Sequence, residues 1–183
     1  MMSKAQKSTN ISEVIKQRKS SLAIRTGYWQ LFQRLLMLAV IVYLLFTQLF
    51  LITRASGNGM FPAIKDGDLI IGFRLQKEYI KNDVVIYEEN GNRNIGRVIG
   101  REDDVVTIDK SGTLLVNGTV QTGEIMFPTN AKEGIKYPYR VPKDSIFVLG
   151  DYRIQAQDSR EFGPILMNAV EGKVITILRR RSL

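Results

Sequence analysis

The chain contains no cysteine and no histidine among its 183 residues. The first absence removes disulfides, thiol nucleophiles and Cys/His zinc sites. The second removes every Ser-His-Asp and Cys-His mechanism. A hydrolase built from this alphabet must use Ser-Lys, Thr or paired carboxylates, and no metal or other cofactor is expected. A cysteine-free chain fits a bacterial surface protein without fixing a compartment. Charge of one sign is also scarce locally: residues 1–34 carry seven Lys or Arg against a single acid, Glu13. The rest of the chain is only mildly basic, so the net charge of +8 does not describe a basic, aromatic-laced surface. Nucleic acid is therefore not an expected partner.

Residues 35–53 contain no charge and are bracketed by Arg34 and Arg54. At about 1.5 Å per residue this run makes a helix of roughly 28 Å, close to the hydrocarbon thickness of a bilayer. A soluble core helix of this length would show a polar stripe, and the apolar core of a cleaved signal peptide would be shorter. The expectation is an uncleaved signal anchor. The basic excess before it places residues 1–34 in the cytoplasm and residues 55–183 outside the cell membrane. Asn10 to Glu13 have the spacing of a helix cap within the basic tail.

Beyond residue 55 the pattern changes to short apolar runs split by turn residues. Strands are expected at 68–73, 83–87, 94–100, 104–108, 145–150 and 173–178. A hairpin is expected at 114–120, where Asn117-Gly118 suits a type I′ turn. The predicted fold class is thus mainly β: one N-terminal transmembrane helix followed by an antiparallel β domain. Residues 121–142, with three prolines and two glycines, read as a long surface excursion.

Three blocks carry the chemical argument. They read G-N-G-M-F-P at 57–62, G-R-V-I-G at 96–100 and G-D-Y-R-I-Q-A-Q-D-S-R-E-F-G at 150–163. In order and spacing they resemble the type I signal peptidases, which are membrane-bound serine proteases. That family shows Gly-x-Ser-Met-x-Pro in the first block and Lys-Arg-Val-Ile-Gly in the second. The resemblance puts Gly59 in the position of the nucleophilic Ser, Gly96 in that of the general-base Lys, and Ala156 in that of the Ser that orients the Lys. Met60, Pro62, Gly67 and Asp68 match the first block, and Arg97 to Gly100 match the second. Asp151, Arg153, Asp158, Ser159 and Arg160 match the third. Arg97 cannot replace the missing base, because a guanidinium does not deprotonate in proteins.

The resemblance implies a substrate groove that includes Met60, Pro62, Val84, Val85 and Arg97. It implies structural roles for Asp68, Asp151, Asp158 and Arg160, the last two as an ion pair. No catalytic residue is expected. The nearest kin by pattern are the non-catalytic signal peptidase-like proteins of Gram-positive pilus operons, which implies an exported client, such as a pilin subunit handled with sortase machinery. The alternative is an active signal peptidase with an unorthodox nucleophile, of which Ser56 is the nearest candidate. Membrane lipid is a further expected partner. The R-R-R run at 179–181 could touch anionic headgroups, at about 1 kcal/mol per charge.

Overall fold

A computed structural model describes residues 27–122 and 127–179. The basic tail up to residue 26, its Asn10–Glu13 cap and the last two arginines of the R-R-R run lie outside the described residues. So do residues 123–126 of the excursion. The chain divides into two compact units, residues 1–47 and 48–183.

Helix α1 runs from Gly27 to Leu49 and is long and apolar enough to cross a membrane. Its boundaries differ from the charge-free run. The helix begins eight residues before Leu35 and stops at Leu49. The last residues of the run instead form strand β1, Phe50–Arg54. Apolarity alone cannot mark that change. Phe50, Ile52 and Thr53 are β-formers, and the strand pairs along its whole length with β2 (Leu69–Phe73), with Leu51 opposite Gly72.

The β domain holds two antiparallel sheets. The larger one is ordered β1-β2-β11-β3-β4-β9-β10. Its strands are β1, β2 (Leu69–Phe73), β3 (Val84–Glu89), β4 (Asn92–Gly100), β9 (Ser145–Leu149), β10 (Ile165–Leu166) and β11 (Val170–Leu178). The smaller one is ordered β7-β6-β5-β8, with β5 at Val105–Ile108, β6 at Leu114–Val116, β7 at Thr119–Val120 and β8 at Tyr139–Arg140. A short helix α2 covers Ser159–Phe162.

The hairpin expected at 114–120 is present as β6 and β7, with both Asn117 and Gly118 at positive φ. A second hairpin joins β3 to β4 through Asn90 and Gly91, also both at positive φ. Three apolar clusters form the core. One joins the small sheet to the ends of β4 and β9 around Val106, Phe147 and Leu149. The second centres on Tyr87, Val98 and Val148. The third packs Met60 and Ile64 onto Ile70 and Ile86. The described part of the excursion is tied down. Asn130 and Lys132 bond to residues of the third block, and Gly134 lies so close to the Glu161 carbonyl that a Cβ there would overlap it.

Candidate functional site

The loop after β1 is closed on itself before it reaches Gly59. Ala55 N–H donates to Asp68 O at 2.9 Å, and Gly67 N–H donates to Ala55 O at 3.0 Å. The buried carboxylate of Asp68 accepts the Lys65 N–H, and that of Asp66 accepts the Gly57 N–H. These bonds are why the D-G-D turn accompanies the glycine-rich stretch. They fix the loop that carries residue 59.

The third block then meets this loop. Tyr152 N–H donates to Gly59 O at 2.9 Å. A Cβ at Gly150 would sit 2.5 Å from Gly59 O and overlap the Ala156 methyl, so only glycine fits there. A Cβ at Gly59 would meet Ala156 at 3.7 Å, an ordinary contact. Gly59 and Ala156 thus face each other across van der Waals distance, as the alignment of the first and third blocks implies. Both line a groove of about 260 Å³ together with Ser56, Asn94, Ile95 and Gln155.

Gly96 lies on β4 opposite Val85. A Cβ there would fall 3.2 Å from Tyr87 Cε1 and 3.3 Å from Val148 Cβ. The room that a longer side chain would use at its root is therefore occupied by an aromatic ring and a branched aliphatic one. Burial, aided by Asp158 and Glu89, pushes the Tyr87 hydroxyl pKa well above its ordinary value, so this phenol stays neutral and offers no base. The lysine amine closest to the third block is also engaged. Lys132 Nζ donates to Ala156 O at 2.7 Å and pairs with Glu161. Ser56 lines the groove, but its hydroxyl has no hydrogen-bond partner among the described residues. No base among the described residues is hydrogen-bonded to it.

Two guanidinium–carboxylate forks frame the site. Arg160 holds Asp158 through Nε and Nη2, both at 2.8 Å, and both side chains are 1% exposed. Arg160 also donates to the carbonyls of Asn130 and Arg153. Asp158 further accepts the Gly150 N–H and caps helix α2. Arg97 grips Asp151 at 2.7 and 2.6 Å and donates to Asn82 O. The acidic stretch Glu102-Asp103-Asp104 makes no such fork: Asp103 meets Arg140 only loosely, at 3.7 Å on the exposed surface. Glu102 and Asp104 accept backbone N–H groups of Asp144 and Arg101, which makes them turn locks.

Of the five residues expected in the substrate groove, the structure places only Met60 in the groove at Gly59. Pro62 and Arg97 line a second, larger cleft instead. Val85 is fully buried in the core and Val84 packs at its margin. The correction has a simple origin. Side chains alternate across a strand, so Val85 shares the face of Gly96 and Tyr87 and is turned into the core, whereas Val84 and Arg97 share the face of Ile95 but lie two residues further along the ladder, beyond the groove. The groove wall comes from Asn94 and Ile95, which the motif comparison did not single out. Tyr87, Val148 and Lys132 were also missed. None of them lies in the three blocks, and only the registers of β3 and β9 and the fold of the excursion bring them to the site.

A β domain following an apolar helix, with a glycine loop and an Asp-Ser-Arg loop meeting across a small groove, has the layout of a peptidase scaffold. The chain belongs to the signal peptidase family, peptidase S26, whose family model matches residues 28–178. It is 29% identical over 188 residues to a signal peptidase I of Bacillus amyloliquefaciens, which covers 93% of this chain and 92% of that protein. It is 30% identical over 135 residues to the signal peptidase I of Bacillus caldolyticus, covering 65% and 74% respectively. Among solved structures, a signal peptidase I from Enterococcus faecalis aligns with a TM-score of 0.46 at 26% identity, covering 54% of this chain and 97% of that one.

Proposed function

We propose that this chain is a non-catalytic signal peptidase-like protein that holds an exported polypeptide in the groove beside Gly59. One observation carries the reading: Gly59 and Ala156 face each other in that groove with no hydroxyl, amine or carboxylate of a described residue between them. Tyr87 and Val148 at Gly96 support it, because they crowd the position from which a base would have to extend. Residual rate from a binding groove alone is on the order of 10³–10⁴ over water when a serine protease loses its catalytic residues, far short of what export needs.

The backbone offers a way to hold a client. On its β9 side, β4 is paired only from Arg97 onward. Asn94 and Ile95, which line the groove, have no strand beside them there among the described residues. An extended segment adding to that stretch gains main-chain hydrogen bonds, the usual mode of β-augmentation. In this reading helix α1 anchors the protein in the cell membrane, the N-terminal tail is cytoplasmic and the β domain lies outside. The client is a pilin subunit or a comparable exported protein handed to sortase-type assembly.

The test uses the full chain in detergent micelles with a preprotein substrate. No cleavage above the buffer control is expected, and a photoreactive group at position 59 captures the client from the cell envelope. Turnover exceeding the amount of protein, abolished by Ser56→Ala, would establish the unorthodox peptidase instead. Unchanged pilin polymers after deletion of the protein would exclude the pilin client.

A further inference from the structure

A second cleft of about 720 Å³ shares no lining residue with the groove at Gly59. Among the described residues four cations line it, Lys81, Arg97, Arg153 and Arg179, against one acid, Asp151. Asp151 is already engaged by Arg97. Arg179 donates to Ala63 O and lies 3.9 Å from Asp68. Lys81 is exposed and has no ion-pair partner among the described residues.

Arg153 is the unusual member. It is 4% exposed, yet its donors reach only neutral acceptors, Gly150 O and the Thr129 hydroxyl. No carboxylate lies within ion-pair distance of it among the described residues. Burial, and then the neighbouring Arg160, lower its pKa to about 10. The charges of Asp151 and Asp158 offset part of this, but neither pairs with Arg153 directly, and an anion entering the cleft would further offset the cost of burying the guanidinium.

The shape of the cleft narrows the kind of anion. Thr119 and Val120 of β7 line it and are both exposed. β7 is an outer strand of the small sheet, with β6 as its one neighbour among the described residues. An outer strand presents unpaired N–H and C=O groups to an incoming chain. Ile99, Leu114 and Val120 add apolar surface beside the cations. A free phosphate or a lipid headgroup would use neither the strand edge nor the apolar wall. An extended peptide with alternating acidic and apolar side chains would use all three.

We propose that this cleft is a second client site, in which an acidic extended segment of the exported polypeptide adds to β7 and places its carboxylates against Arg153 and Lys81. The inference rests on the reading that the client is an exported polypeptide, but it concerns a different surface.

The experiment is fluorescence anisotropy with the full chain in an uncharged detergent. The probe is a labelled peptide of alternating Asp and Val, and its control carries Asn in place of Asp. Saturable binding of the acidic peptide is expected, at least about tenfold weaker for the amide control and for Lys81→Glu. Arg153→Gln should also lose binding. Because that variant removes a buried side chain, the exposed Lys81→Glu decides the matter if Arg153→Gln does not fold. Equal binding of the two peptides, or binding unchanged by Lys81→Glu, would overturn the proposal. Displacement of the peptide by millimolar inorganic phosphate would overturn it in favour of a small-anion site. Displacement by phosphatidylglycerol vesicles would overturn it in favour of a membrane surface. Capture by the photoreactive group at position 59 is read on the unsubstituted protein with the envelope client, and anisotropy is read with the acidic peptide alone, so failure of the groove reading and failure of this one are separately visible.

Discussion

The ring of Tyr87 lies against the backbone of Gly96 so closely that a Cβ there would be 3.2 Å from Cε1. The contact explains why residue 96 cannot simply regain a side chain, and it contrasts with Gly59, where a Cβ would meet Ala156 at 3.7 Å. Gly59→Ser should therefore change stability by no more than about 0.5 kcal/mol. Gly96→Lys should cost about 1–3 kcal/mol through overpacking against Tyr87 and Val148. Thermal melts of the two single variants check this. Equal melting temperatures would show that the ring yields freely. In the proposed reading, Gly59→Ser alone yields no peptidase, because a hydroxyl without a base is a poor nucleophile at neutral pH.

The Asp158–Arg160 fork should dominate the stability of the third block. Both partners are buried, and Asp158 also holds the Gly150 N–H. Removing one side of such a pair leaves an uncompensated charge and costs about 3–5 kcal/mol. Arg160→Met is expected to show a loss of that size in denaturant unfolding. Arg97→Met should lose less, because the Arg97–Asp151 fork is more accessible to water, at 26% and 13% exposure of the two side chains. The reverse order would mean that the Arg97 fork, and not the buried one, organises the loop.

Local signals in the sequence reported the strands well and the site only in part. The Asn117-Gly118 pair announced its hairpin because both residues must take positive φ. Asn90-Gly91 carries the same signal one hairpin earlier and was read only as a gap between two strands. β1 stayed hidden inside the apolar run because a membrane helix and a buried strand draw on the same residues, and only pairing with β2 distinguishes them. β8 and β10 are two residues each, too short for any periodicity. The motif blocks contain residues 59 and 156, which the fold places in contact. They could not reveal Tyr87 or Lys132, whose positions depend on strand register and on long-range bonds.

The hidden strand has a practical consequence. A soluble version of the β domain that starts at Ala55, where the charge-free run suggests the anchor ends, would delete β1. It would leave the edge of β2 unpaired over five residues and remove Leu51 from the cluster with Ile70 and Ile86. Leucine burial of this kind is worth about 2–5 kcal/mol when truncated to alanine. A version starting at Gln48 should melt several degrees higher than one starting at Ala55 and should aggregate less, since β1 shields the next strand edge. Identical melting curves would show that β1 contributes nothing to the domain.

Tyr137 provides a test in the alkaline range. Its hydroxyl is buried without a hydrogen-bond partner among the described residues, and burial pushes its pKa from the ordinary phenol value up to about 12. The folded state thus keeps the phenol protonated at pH values where the unfolded chain has released the proton. Between about pH 10 and 12 the native protein binds more protons than the unfolded one, so this residue's contribution to stability is complete below pH 10 and falls as pH rises. Tyr137→Phe removes both the unpaired hydroxyl and the titration. At pH 7 the variant should be as stable as the parent or slightly more so, because deleting an unsatisfied buried polar atom is neutral or favourable. The stability difference between variant and parent should then widen in favour of Phe from pH 10 upward, a comparison in which titrations common to both proteins cancel. A difference that stays flat across that range would show that the Tyr137 hydroxyl is reached by water and titrates as it does in the unfolded chain.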